Sequence, residues 1–158
     1  MKEKIILESG SITVDIPDGF QRMTAEEIQQ SGGSVTADQW CIKNEEEHLA
    51  FNIAWNKLSF FTKLVSLEKT VENIRNSTGR KVSGFKTYED IHTTIGGEKA
   101  IGFQYGYTAA GTEYRSEYDM IRYQGHQIAF VQIGRETDFV GNQAVFQTII
   151  DSIKLSAE

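Results

Sequence analysis

The sequence is poor in the residues that punctuate or cross-link a chain. Cys41 is its only cysteine, so no internal disulfide can close and no Cys-rich zinc pattern can form. A lone thiol fits a reducing compartment. Pro17 is the only proline, and no Pro-, Ser- or Gly-rich linker or internal repeat divides the 158 residues, so one domain spanning 1–158 is expected. Long apolar runs are missing as well. Nothing approaches the ~20 apolar residues of a membrane span, and the N-terminal MKEKIILESG holds an apolar run too short for a signal-peptide core. The expected location is therefore the cytoplasm. Positive charge is scarce too: 16 Lys and Arg stand against 22 Asp and Glu, for a net charge of −6. The densest basic cluster is only Arg75, Arg80, Lys81 and Lys86, so a general nucleic-acid surface is not expected.

What the chain does have is bulk for a core. It carries 9 Phe, 6 Tyr and 2 Trp, each able to bury a large area. A chain of this length hides roughly 70% of its unfolded surface, which removes the need for a metal or disulfide staple.

Lys4 to Glu8 and Ile12 to Ile16 read as a hairpin, with Ile12, Val14 and Ile16 on one face at period two. Pro17-Asp18-Gly19 then turns the chain. Thr24 caps a short helix, with Glu27 completing a capping box and Met23 and Ile28 forming a staple, and the helix ends near Ser31-Gly32-Gly33. Trp40 to Lys43 and His48 to Lys57 form a second predicted hairpin around Asn44 to Glu47. Leu58 to Val65 is apolar and unassigned. Ser66 caps a helix in which Leu67, Val71 and Ile74 recur at i, i+4 and i+7, and which ends by Gly79. Four strands follow, Phe85 to Ile95, Glu98 to Thr108, Thr112 to Tyr123 and His126 to Ile133, joined by Gly-containing turns. The last is apolar on both faces, as in a central strand covered on both sides. A final helix from about Thr137 to Ile153 offers Phe139, Phe146, Ile150 and Ile153 to the core. The predicted class is α+β, an antiparallel sheet with helices on both faces in a three-layer sandwich.

Two short motifs add to this order of elements: I-P-D-G-F at Ile16 to Phe20, and F-x-x-I-I-D-S-I-K at Phe146 to Lys154. With them the chain resembles the PsbP-like fold, and more narrowly the bacterial DcrB-like group. The resemblance implies a binding role and carries over no catalytic residue. The superfamily includes a photosystem subunit, a Ran-binding nuclear import factor and bacterial chaperones for secreted effectors. Many bacterial relatives have a lipoprotein leader that this sequence does not show.

A search for chemistry finds little. His48, His92 and His126 share no helical spacing and form no H-E-x-x-H. No G-x-S-x-G elbow is present; Ser83 precedes a strand, and Cys41 reads as a small buried apolar residue with no base in view. Gly32-Gly33 and Gly96-Gly97 lack a phosphate-loop frame. Glu113, Glu117 and Asp119 share a strand face with Arg115. Carboxylates four strand residues apart stand about 13 Å from one another, too far for a glycosidase pair. They read as a solvated face or an edge strand.

One pattern calls for a partner. Ile101, Phe103, Tyr105 and Tyr107 alternate with Ala100, Gly102 and Gly106, and Ala50 and Ala54 alternate with the large residues of their strand. Small residues on a sheet face let something approach closely, either a packed helix or a ligand or partner segment in a shallow groove. The candidate binding surface comprises Trp55, Phe60, Phe61, Tyr105, Tyr114 and Tyr118. The expectation is a non-enzymatic domain without cofactor or metal, monomeric or homodimeric, that binds another protein or peptide as a chaperone, adaptor or immunity-type protein. A small-ligand-binding protein is the other reading.

Overall fold

In the computed structural model, which describes residues 1–30 and 38–157, ten strands form two antiparallel sheets. The smaller contains β1 (Lys2–Leu7), β2 (Gly10–Asp15) and β10 (Lys154–Ala157), in the order β1-β2-β10. The larger contains β3 (Gln21–Arg22), β4 (Asp38–Asn44), β5 (Leu49–Lys57), β6 (Ser83–Ile95), β7 (Glu98–Ala109), β8 (Thr112–Tyr123) and β9 (His126–Arg135). Its strand order is β3-β4-β5-β9-β8-β7-β6. Four helices accompany them: α1 (Ala25–Gln30), α2 (Phe60–Lys63), α3 (Leu67–Lys81) and α4 (Phe139–Ser152).

β9 lies in the middle of the large sheet between β5 and β8, with Ile128 and Phe130 buried on one face and Ala129 on the other, while Val131 and Ile133 are only half-buried. Register sorts the side chains. Ile53 pairs with Phe130, Phe130 with Asp119, and Asp119 with Gly102, so these four share one face. Ala54, Ala129, Met120 and Ile101 likewise share the other.

On the first face, β1, β2, β10 and α4 close over the larger core. Ile12, Val14, Ile42, Phe51, Ile53, Ile128, Phe130 and Ile149 meet there with no measurable exposure. Each such side chain stabilises the fold by roughly 1.5–3 kcal/mol. On the second face, α3 lays Leu67, Val71 and Ile74 over Ile101, Phe103, Tyr105 and Met120. The molecule is a mixed α+β protein that is mostly sheet, and one side of its main sheet is shared between α4 and the small sheet.

The caps follow the sequence. The Thr24 backbone N–H donates to Glu27 Oε1 at 3.0 Å, and the Glu27 N–H donates to Thr24 Oγ1 at 3.2 Å. Ser66 Oγ accepts from the Lys69 N–H at 3.1 Å and opens α3, which runs to Lys81 rather than stopping by Gly79. The predicted end of α1 at Ser31-Gly32-Gly33 lies outside the described residues.

Candidate functional site

The six candidate surface residues fall in four places. Phe60 and Phe61 occupy α2, a single turn closed by reciprocal bonds between Ser59 and Thr62. Here the unassigned stretch becomes specific: Phe60, Phe61 and Leu64 are 72%, 78% and 71% exposed, and the two rings meet edge to face at 5.6 Å. Trp55 and Tyr118 border a groove of about 390 Å³ floored by Ala54 and Ala129 and bounded by Ile74 of α3. Tyr114 sits elsewhere, stacked on Tyr107 at 5.3 Å beside a small hollow that Tyr88 also lines. Tyr105 is only 9% exposed and belongs to the core under α3, so it offers no surface. Burial, and secondarily Tyr107, pushes its phenol up to about 12, and burial raises Tyr118 as well.

The two runs of small residues do not make one groove. Ala50 and Ala54 lie on the α3 side of the sheet, whereas Gly102 lies on the α4 side beside Asp119. A groove forms over Ala54 and Ala129, while Gly106 lines the small hollow beside Tyr114. Gly102 serves a different purpose. A Cβ there would overlap Asp119 Oδ1 and the Tyr118 carbonyl oxygen, so the missing side chain is the space that Asp119 fills.

This corrects the expectation of a solvated acidic face on β8 at Asp119, while Glu117 is half-buried and Glu113 is exposed as expected. The strand is interior, between β7 and β9, and Asp119 is 1% exposed. Glu117 accepts from Gln104 Nε2 at 3.0 Å and from Gln132 Nε2 at 3.2 Å. Arg115 Nη2 donates to Gln104 Oε1 at 3.3 Å, and its guanidinium lies between the rings of Tyr88 and Phe139. Burial first, then a hydrogen bond to Glu117 and the charge of that neighbour, pushes the Asp119 carboxyl up to about 10. Both effects favour the protonated acid. The hollow that Arg115, Glu117 and Gln132 line is only about 10 Å³, too small for a substrate, so the network reads as structural.

Other chemistry is similarly sparse. His48 and His92 are exposed, and the buried His126 places Nδ1 3.1 Å from the Gln124 carbonyl oxygen. Among the described residues no group of three or more His, Cys, Asp or Glu could hold a metal. Cys41 is buried, and desolvation pushes its thiol up to about 11, away from the nucleophilic thiolate. No helix among the described residues is long and apolar enough to cross a membrane.

One capacious concavity was missed in the sequence. A cleft of about 650 Å³ opens between the Pro17–Phe20 turn, the Asn44–Glu47 turn and the first half of α4. Its sequence signal was Pro17-Asp18-Gly19-Phe20, which reads as a chain reversal only. The topology alone brings α4 beside it.

No protein-family model matches the chain, and no curated protein matches its sequence. Solved structures do. Together the two sheets and their helices define a PsbP-like fold. LpqN, involved in cell envelope biogenesis of Mycobacterium tuberculosis, superposes with a TM-score of 0.68 at 12% identity, covering 99% of this chain and 91% of that one. The cyanobacterial PsbP, CyanoP, from Synechocystis sp. PCC 6803 gives 0.66 at 12% identity, covering 96% and 91%. The Saccharomyces cerevisiae Ran-binding protein Mog1p gives 0.57 at 11% identity, covering 97% and 94%. At these identities the likeness defines the fold and leaves function to the site.

Proposed function

We propose that this chain is a non-enzymatic binding domain of chaperone or adaptor type, whose ligand is another protein or a peptide. The observation that carries the reading is the exposure of Phe60, Phe61 and Leu64 on one capped turn. Large apolar side chains gathered in solvent oppose solubility unless a partner covers them, and buried aromatics dominate the energetics of protein interfaces. A Ran-binding protein with the same fold supports the reading. Within the superfamily the DcrB-like group is the proposed placement, resting on the Ile16–Phe20 and Phe146–Lys154 motifs. The cytoplasm and an optional homodimer complete it.

The test is affinity capture of the tagged protein from its own organism's lysate, with mass spectrometry of what co-purifies. One partner near equal stoichiometry, lost with Phe60→Ser and Phe61→Ser together, is expected. Recovery of the protein alone at low salt would overturn it.

A small-ligand reading has its own observation. The groove over Ala54 and Ala129 includes Gln127, which is 8% exposed and whose Oε1 has no hydrogen-bond partner. A buried orphan acceptor costs roughly 1–3 kcal/mol, which a ligand donor would recover. Thermal-shift screening against metabolites tests this: stabilisation by one of them, abolished by Gln127→Leu, is the outcome that favours it.

A further inference from the structure

We infer that the cleft between the Pro17–Phe20 turn and α4 receives a lysine- or arginine-bearing apolar segment of a polypeptide. The inference rests on the reading of the chain as a peptide-binding domain but concerns a different surface. α2 follows the far end of β5, a nine-residue strand, about 26 Å from the turn that precedes it.

Three observations converge. The volume of about 650 Å³ falls within the range of built ligand sites and exceeds what a lone ion or water requires. Phe20, Leu49, Val140 and Val145 line it, and Val140 is 82% exposed at its mouth, so the walls suit a hydrocarbon body. The charge lining it has one sign. Asp18, Glu47 and Asp138 are its ionisable residues, and no Lys or Arg lines it. Asp138 is paired with Arg135 at 3.2 Å, whereas Asp18 and Glu47 have no ion pair among the described residues. Two free carboxylates at an apolar concavity leave an anionic potential that a cation on an aliphatic stem would complement. Lysine and arginine have that construction, with an apolar stem and a charged tip.

A simple amine would supply the charge without the apolar flanks.

The test is an NMR titration of the isotopically labelled full chain with acetyl-Leu-Lys-Leu-amide, acetyl-Leu-Glu-Leu-amide and n-butylamine. The lysine peptide is expected to give saturable shifts confined to Asp18, Phe20, Glu47 and the stretch Val140 to Val145. The glutamate peptide and butylamine are expected to bind at least about tenfold more weakly. Asp18→Asn with Glu47→Gln, both at exposed positions, should weaken the lysine peptide by about the same factor and leave the rest of the spectrum unchanged. Equal shifts from the glutamate peptide, butylamine binding as tightly as the lysine peptide, an unaffected double variant, or no saturable shift at millimolar peptide would each overturn the proposal. None of these substitutions touches Phe60 or Phe61, so failure here is separable from failure of partner capture through α2.

Discussion

Replacing Asp119 by Asn should stabilise the protein at neutral and alkaline pH, even though it removes a buried acid from the middle of the sheet. In the folded state burial, and then Glu117, push the carboxyl up to about 10 from its ordinary 3.8. Between those limits the folded state binds one more proton than the unfolded chain. Stability from this group is thus full below about pH 4 and lost as pH rises through about 10, at roughly 1.4 kcal/mol per pH unit. At pH 7, some three units above the unfolded value, the accumulated cost is of the order of 4 kcal/mol. Asparagine is nearly isosteric with the protonated acid, can still donate toward Glu117, and carries no such cost. Urea unfolding of wild type and Asp119→Asn at pH 5, 7 and 9 measures it. The stability gap should widen with pH, because ionisations common to both proteins cancel in the difference. A variant less stable than wild type at pH 9, or a gap independent of pH, would show that Asp119 is not held protonated and refute the reasoning.

Three further outcomes are expected. Gly102→Ala should destabilise by about 1–3 kcal/mol, read by urea unfolding, because its methyl would overlap Asp119 and the Tyr118 carbonyl; a near-neutral result would mean that β7 and β8 shift apart easily. Ser66→Ala removes the acceptor for the Lys69 N–H and should cost about 1 kcal/mol, with Ser66→Asp close to neutral in the same thermal-unfolding series. Cys41 should resist a thiol-specific disulfide reagent in the folded protein and react at once in denaturant, since it is buried and its thiol is raised to about 11; rapid reaction of the native protein would contradict the buried placement.

The sequence was most legible where a local rule acts alone. Period-two alternation located the long strands, the Thr24–Glu27 box opened α1, and the two apolar faces of β9 placed it at the sheet centre. Legibility failed where a distant element decides the outcome. Lys154–Ala157 is too short to announce itself as a strand and becomes one by pairing with β2 across the chain. Glu117 and Asp119 look like solvent-facing residues until β7 and β9 flank them. The candidate surface suffered in the same way. Aromatic alternation nominated Tyr105, yet α3 covers it, while Asp18 and Asn142 meet at one cleft only because α4 returns beside the first turn. Phe60 and Phe61 were recognisable as an apolar run, but their exposure depends on the single capped turn that carries them.

The most direct test of the account is a comparison of wild type with the Phe60→Ser, Phe61→Ser double variant against the partner recovered by affinity capture, by calorimetric titration. Both side chains are already largely exposed, so folding stability should change by no more than about 0.5 kcal/mol. The account predicts that affinity nonetheless falls by at least about a hundredfold, as expected for loss of two aromatic anchors. Unchanged affinity with unchanged stability would show that α2 is not the binding surface and contradict the central claim.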